Sequence, residues 1–257
     1  RACRDSALQH NPRLMVIAQL DFLRAGNQSI LNTLMGYARE GYQITIFTFR
    51  RPDDSAFLKL CELPPELRNV LSFRFVTPAF RPVVDLYRIL KRGAASMAGR
   101  FRLLRANSSE RGSTPANEVA GGVQPMLDTF GLNTPIRSIH DALSMISHVL
   151  GGLWTIAWSA ITSKPDVIYG YELYGAVLAG KCARLVPRAT LVTRFQGTVL
   201  YPYLVQQGLD IRRFPLHQAA MMSVRPDLMV MANDGTRGDE VCRFLGVPAG
   251  QIGFWIN

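Results

Sequence analysis

The sequence predicts an α/β protein built on a doubly wound, mostly parallel sheet with helices on both faces. Three observations support this prediction. Short apolar runs of strand length alternate with segments of helical periodicity along most of the 257 residues. The runs are rich in β-branched and aromatic residues, which is typical of strands buried on both faces. Clusters of Gly, Pro, Asn and Asp separate the strands from the helices.

The first unit, residues 13–41, predicts a strand, a turn and a helix. Residues 14–20 are a continuous apolar run, and the turn that follows contains Gly26 and Asn27. Apolar residues then recur at helical spacing until Gly41. The turn opens at the carboxyl end of the strand, where open α/β sheets bind ligands. We therefore expect it to form one side of a binding site.

Six further strands are predicted after this unit, each a short apolar or β-branched run bounded by turn residues. They cover residues 43–49, 72–77, 167–171, 190–195, 227–232 and 252–256. Pro64 and Pro65 are expected to break the helical pattern. Helices are predicted at residues 30–38, 56–61, 83–90, 174–185 and 237–245.

Residues 78–163 depart from this alternation and predict a basic, helical and loop-rich insertion. Within it, residues 93–125 are rich in Gly, Ala, Ser and Asn without clear periodicity, which indicates an inserted or mobile loop. Residues 139–161 are strongly apolar, but Asp141 and two adjacent glycines interrupt them. A bilayer span needs about 20 largely uncharged residues. We therefore predict a buried or interfacial helix there and not a transmembrane one.

The net charge of +10 is concentrated in residues 81–111, which contain eight basic and two acidic residues. Apolar residues interleave with the basic ones, a composition typical of an interfacial helix on anionic lipid. A solvated helix followed by a disordered tail explains the same segment equally well. Nucleic acid is a less favoured partner because no recognised binding motif accompanies the charge. We expect a cytoplasmic protein, peripheral on the inner face of the membrane through residues 81–111.

The four cysteines and four histidines do not form a recognisable reactive or metal-binding pattern. The cysteines lie far apart and have no metal-ligand spacing, which favours reduced thiols and no metal site. The histidines have no obvious partner in the sequence, so packed or surface positions are favoured over catalytic ones.

Four segments together form the pattern of a known family. They are 13–41, 164–170 (Lys-Pro-Asp-Val-Ile-Tyr-Gly), 191–198 (Leu-Val-Thr-Arg-Phe-Gln-Gly-Thr) and 227–257. In this combination they resemble the N-terminal half of GT-B glycosyltransferases of the group 1, or family 4, type. The resemblance implies a Rossmann-like GT-B N-terminal domain over residues 13–257, with the C-terminal donor-binding domain absent. The chain is then expected to be a fragment, inactive without that domain.

The resemblance also implies that the two substrates bind to different domains. Enzymes of this family bind the sugar acceptor chiefly on the N-terminal domain and the nucleotide-sugar on the C-terminal one, and they transfer the sugar with retention. A cell-envelope, polysaccharide or lipid acceptor is expected, with the nucleotide-sugar as co-substrate and no cofactor. Glu110 and Glu118 reproduce the spacing of the family's donor-binding Glu pair, but they lie in the loop-rich segment, so we attribute the match to chance. Gln196 stands where many members have His and cannot act as a general base, so the catalytic residue is unassigned.

Candidate substrate-binding residues follow three predicted strands at one edge of the sheet. The first turn offers backbone N–H groups and a helix N-terminus to a phosphate or a sugar hydroxyl. The turn after residues 167–171 offers a ring that can stack on a sugar and a carboxylate. The end of the next strand combines a cation, an amide, a flexible turn and a hydroxyl. The candidates are Gly26, Asn27, Gln28, Tyr171, Glu172, Arg194, Gln196, Gly197 and Thr198.

Ordinary structural roles compete with each of these assignments: a capped turn, a Glu at a helix start, and an Arg paired with a structural carboxylate. Asn233, Asp234 and Thr236 are expected to cap the helix after the sixth strand. Two other functions stay open. A nicotinamide-dependent oxidoreductase would share the fold, although the G-x-G-x-x-G fingerprint is missing. A non-catalytic, membrane-associated binding module is the other alternative.

Overall fold

Seven parallel strands form a single sheet in the order β3-β2-β1-β4-β5-β6-β7. The computed structural model describes residues 11–18, 28–48, 63–76, 139–206, 208, 210–232, 235–248 and 252–255. The predicted α/β class and parallel sheet are confirmed, and the fold is Rossmann-like. The strands are β1 (Arg13–Ala18), β2 (Gln43–Thr48), β3 (Leu71–Phe75), β4 (Val167–Tyr171), β5 (Thr190–Phe195), β6 (Leu228–Ala232) and β7 (Ile252–Trp255).

Helices cover both faces of this sheet. They are α1 (Gln28–Arg39), α2 (Pro65–Arg68), α3 (Ile139–Ser163), α4 (Glu172–Ala183), α5 (Pro215–His217) and α6 (Gly238–Phe244). On one face, Ile30 of α1 joins Leu14 and Val16 of β1 in a buried cluster. On the other face, α3 and α4 pack over Met15 and Ile17, the alternate residues of the same strand. The core therefore has two halves, one on each side of β1.

The predicted strands and helices that fall on described residues agree with the structure to within two residues. Buried strands are readable from sequence because both faces are apolar. The predicted break at Pro64 and Pro65 is not tested, because residues 56–61 lie outside the described residues; Pro64 is the N-cap of α2 and Pro65 is its first residue. The first turn of a helix tolerates Pro because its N–H would have no partner there. The helices predicted at 56–61 and 83–90 and the loop at 93–125 lie outside the described residues.

No element is predicted between residues 199 and 226, yet the described part of this stretch contains a series of short helices. A π-helix (Pro202–Gln206), a 3-10 helix (Ile211–Arg213), α5 and a second π-helix (Gln218–Ser223) follow one another. Phe214 is buried among them, with its ring centroid 5.1 Å from that of Tyr203 and 5.6 Å from that of His217. Such short turns leave no periodic pattern in the sequence, so hydrophobic periodicity does not detect them.

Helix α3 belongs to the core, although its sequence lies in the predicted insertion. It precedes β4 and packs on α4, and its residues Ile156 and Ala160 are fully buried. The opposite side of α3 is exposed to solvent, with Trp154 79% exposed. By length and composition alone, Met145–Ser163 is the candidate membrane span among the described residues. The helix is thus buried on one side and apolar on the other.

Helix α4 lies directly against the sheet because glycines leave no side chain between them. A Cβ atom at Gly175 would lie 2.2 Å from the carbonyl oxygen of Ile17 in β1. A Cβ atom at Gly170 in β4 would lie 2.7 Å from the carbonyl oxygen of Gly175. Ala176 and Ala179 are also fully buried along this contact. The helix predicted at residues 174–185 is therefore confirmed, and its small residues bring it into close contact with the sheet.

Substitution of Gly175 by Ala should destabilise the protein. The added methyl group would collide with the backbone of β1, which cannot move aside cheaply, and we expect a loss of about 3 kcal/mol of unfolding free energy. Gly36 in α1 is the matched control, because a Cβ atom there meets nothing within 4 Å. Gly36→Ala should stabilise by up to about 1 kcal/mol through helix propensity. Urea denaturation of both variants measures the two effects, and similar values for them would contradict the close contact.

A second prediction concerns His217, which is buried beside Phe214. Burial lowers the pKa of His217 to about 3, against 6.5 for an exposed imidazole. Between these pH values the unfolded chain binds a proton at His217 that the folded protein excludes. The free energy of unfolding is therefore highest above pH 6.5 and falls as the pH drops below it. This titration changes the free energy of unfolding by at most about 1.4 kcal/mol per pH unit. Between pH 7 and pH 5, the His217→Gln variant should lose about 2 kcal/mol less than the wild type.

Urea denaturation at several pH values measures this difference directly. Between pH 7 and pH 9 neither the wild-type imidazole nor the substituted amide changes its charge, so the two proteins should change equally there. Parallel losses of stability below pH 6.5 would show that His217 titrates normally in the folded state.

Candidate functional site at the carboxyl edge of the strands

The strand order reverses between β1 and β4. The chain first moves outward from β1 through β2 to β3, and then returns to pair β4 with the other side of β1. At the carboxyl ends, Ala18 lies opposite Tyr171, and Tyr171 lies opposite Arg194 of β5. Open α/β sheets bind their ligands in the crevice at such a reversal. The structure thus brings the candidates after β4 and β5 together at this edge.

Glu172 has a strained backbone conformation at this reversal. Its φ is 61°, in the left-handed region that favours glycine. The preceding Tyr171 is still extended, so this one residue turns the chain from β4 into α4 without a loop. A side chain in this conformation costs about 1 to 2 kcal/mol. Strain of this kind concentrates at functional sites, where the surrounding structure stabilises it.

Hydrogen bonds connect the turns that follow β4, β5 and β6. The Glu172 carboxylate accepts a hydrogen bond from the backbone N–H of Gln196 at 2.8 Å. Two residues later, the N–H of Thr198 donates to Oγ1 of Thr236 at 3.0 Å, and Thr198 Oγ1 accepts from the N–H of Leu200 at 3.1 Å. Gly197 lies half-buried within the same turn. We refer to Glu172, Gln196, Thr198 and Thr236 as the rim.

Thr236 does not occupy the capping position of α6 that was predicted for it. The capping position of α6 is Arg237, and no side-chain capping hydrogen bond is formed by it. The Thr236 hydroxyl instead joins the turn after β6 to the turn after β5. No sequence signal distinguishes these two roles, because the partner lies 38 residues away. Asn233 and Asp234 lie outside the described residues.

Arg194 lies beneath α1 and not on the open edge. Its side chain is 1% exposed, and its Nη1 donates a hydrogen bond to Oγ1 of Thr33 at 3.1 Å. Burial raises the pKa of the neighbouring Tyr169 to about 12, although the charge of Arg194 opposes this shift. A buried guanidinium is costly unless hydrogen bonds compensate it. In this conformation Arg194 joins β5 to α1, and its buried side chain is not accessible to a ligand in the crevice.

Tyr171 is also fully buried, in the cluster between the sheet and α1. Burial raises the pKa of its hydroxyl, Glu172 raises it further, and Arg194 opposes both. Among the described residues the hydroxyl has no hydrogen-bond partner. The ring faces are occupied by the core, so the predicted stacking on a sugar is not available in this conformation.

The first predicted turn is described only from its last residue. Gly26 and Asn27 lie outside the described residues, and Gln28 begins α1. The amino end of α1 therefore follows this turn, as predicted. The role of the turn in ligand contact stays a prediction.

A cavity of about 510 Å³ lies at the amino-terminal ends of the strands, on the side of the sheet away from the rim. It is lined by residues of α4 and by the beginnings of β5 and β6, including Lys181, Arg184 and Arg225. Asp227 in its wall accepts a hydrogen bond from the N–H of Leu191 at 2.8 Å. Its position does not coincide with the strand-order reversal, so we assign it no part in the proposed chemistry.

Neither thiol chemistry nor metal binding is indicated by the described part of the chain. Cys182 and Cys242 are free and buried. Burial raises the pKa of the Cys182 thiol to about 12 and that of Cys242 to about 11, which makes both poor nucleophiles. No group of three His, Cys, Asp or Glu side chains within the described ranges is placed to hold a metal ion.

No family model matches the sequence, and a search of curated proteins finds no match. The proposal of a function therefore depends on the fold, the geometry of the rim and the sequence resemblance.

The left-handed conformation of Glu172 gives a third prediction. Both Glu172→Gly and Glu172→Ala remove the carboxylate, but only glycine relieves the backbone strain. We expect the Gly variant to be more stable than the Ala variant by about 1 kcal/mol. At the exposed helical residue Lys181, the order should reverse, since Gly costs up to about 1 kcal/mol relative to Ala in a helix. Chemical denaturation of the four variants measures both differences, and the same order at both positions would disprove the strain.

Proposed function

We propose that this chain is the acceptor-side, N-terminal domain of a retaining GT-B glycosyltransferase. The observation that supports the proposal is the placement of Glu172. It lies at the strand-order reversal in a left-handed conformation and is hydrogen-bonded to the backbone of Gln196. Carboxylates are strong acceptors for sugar hydroxyls. The sequence resemblance assigns the acceptor, and not the donor, to this domain.

In this proposal the rim binds the acceptor and the buried residues hold the rim in place. Glu172 accepts hydrogen bonds from acceptor hydroxyls, and the amide of Gln196 extends the polar surface. Thr198 is buried and holds the turn after β5 in place through its hydrogen bonds with Thr236 and Leu200. Arg194 acts as a positioning residue, because its contact with Thr33 fixes α1 against β5. Tyr171 fills the space between them.

The donor side of the reaction would come from a second Rossmann-like domain that residues 1–257 do not include. That domain would bind the nucleotide-sugar, and the sugar would pass across the cleft to an acceptor of cell-envelope, polysaccharide or lipid type. No other cofactor enters the proposal. The isolated chain should therefore bind acceptors without turning over nucleotide-sugars.

An oxidoreductase is the competing proposal, and one observation favours it. The strand order through β6 is the one found in dinucleotide-binding folds. The first βα turn of those folds contains a G-x-G-x-x-G fingerprint, which this sequence lacks. The same binding experiment separates the two proposals.

We predict saccharide binding that depends on the charge of Glu172. Saturation-transfer NMR with a panel of methyl glycosides and short glycans identifies a ligand, and titration gives its dissociation constant. The Glu172→Gln variant should bind at least about tenfold more weakly, because a hydrogen bond to a charged acceptor is lost. Glu66→Gln is the matched control, since Glu66 is exposed in α2 and should leave the affinity unchanged.

Three results would contradict the proposed function. Saturable NAD binding without any saccharide binding would favour the oxidoreductase. Equal affinities of the wild type and Glu172→Gln would remove the rim from the site. Rapid turnover of a nucleotide-sugar by the isolated chain would disprove the division of labour between two domains.

A further inference from the structure

The outward side of α3 is apolar, unlike that of an ordinary surface helix. Its inward side combines buried apolar residues such as Ile156 with small and polar ones such as Ser147 and Ser159. Its outward side presents large apolar residues, and Trp154 and Trp158 are 79% and 64% exposed. A helix that only covers a soluble core presents charged and polar residues to solvent. The exposed stripe consists of Leu143, Ile146, Leu150, Trp154, Trp158 and Ile161.

The spacing of this stripe fits a flat surface. The five steps from Leu143 to Ile161 average 3.6 residues, the period of a straight α-helix. At about 100° per residue the six side chains lie within an arc of about 120° on one side of the helix, as contact with a surface requires.

The chemistry around the stripe favours an anionic lipid surface. The stripe itself is uncharged, and α3 contains no Lys or Arg. At its carboxyl end, exposed Lys164 follows the last turn, and the guanidinium of Arg13 donates a hydrogen bond to the carbonyl oxygen of Ser163 at 2.6 Å. The whole chain has a net charge of +10. Trp side chains prefer the boundary between lipid and water, and nearby cations add attraction to anionic headgroups.

The packing of α3 indicates that it lies on the surface and does not cross the bilayer. Ile156 and Ala160 are fully buried in the core. Gly152 lies so close to α4 that a Cβ atom would be 2.6 Å from Cδ1 of Leu178. A spanning helix would have to leave these contacts and expose the sheet.

We propose that the exposed face of α3 docks on an anionic bilayer, with the helix parallel to the membrane plane and Trp154 and Trp158 in the interfacial region. This inference is independent of the proposed glycosyltransferase function. It also assigns the membrane contact to a different segment from the basic residues 81–111.

Flotation of the full chain with phosphatidylcholine vesicles, with and without phosphatidylglycerol, tests the proposal. The wild type should float with the anionic vesicles, and the double variant Trp154→Ser/Trp158→Ser should partition at least about tenfold more weakly. Phe244→Ser is the matched control, because Phe244 is 60% exposed on α6, outside the stripe, and should change partitioning little. Brominated lipid should quench the wild-type Trp fluorescence more strongly than that of the double variant, which retains Trp255.

Each alternative gives a distinct result that overturns the proposal. Equal flotation of the wild type and the double variant would place the lipid contact elsewhere, as residues 81–111 would. Failure of the wild type to float with any vesicle would exclude the lipid surface. A wild-type dimer that the double substitution dissociates, without vesicle binding, would show that a second copy covers the stripe. Circular dichroism checks that both variants keep the wild-type fold.

Discussion

The contact of Gly175 with the carbonyl oxygen of Ile17 determines where α4 lies, and the site depends on that position. With no side chain between helix and strand, β4 leads into α4 without a loop, and the change of direction falls on Glu172. The resulting strain, about 1 to 2 kcal/mol, is small beside the burial of α4. Leu173, Val177 and Leu178 are all buried, and each such side chain contributes roughly 1.5 to 3 kcal/mol. Helix packing therefore stabilises the strained residue.

The rim follows from the same geometry. Because Glu172 is held at the carboxyl edge, its carboxylate reaches the N–H of Gln196, and the turn after β5 is fixed relative to β4. The bond from Thr198 to Thr236 then fixes the turn after β6. Beneath this edge, Arg194 fixes α1 through Thr33. Three polar turns are thereby fixed by neighbouring residues, which would reduce the entropy lost if a ligand binds there as proposed.

The sequence predicts most of this fold but only part of the site. Parallel strands buried on both faces are continuous apolar runs, so their positions are visible without tertiary information. The placement of Glu172, Gln196 and Thr198 at one edge follows from strand ends alone. The inward direction of Arg194 does not, because a strand covered on both faces gives no pattern that tells one face from the other. The left-handed φ of Glu172 is equally hidden, since a Glu does not mark this conformation in a sequence as a glycine would.

The orientation of helix α3 is likewise not predictable from the sequence. Its apolar residues occur on every side, so periodicity predicts a helix without saying which side meets the core. The choice is made by Gly152, which allows α3 to approach Leu178 and Tyr174 of α4 and so turns both exposed tryptophans outward. Helix α4 consequently contacts α3 at Leu178, β1 at Gly175 and the rim at Glu172. A membrane docked on α3 would be separated from the rim by this one helix, whose glycine contact with β1 leaves little room for it to shift.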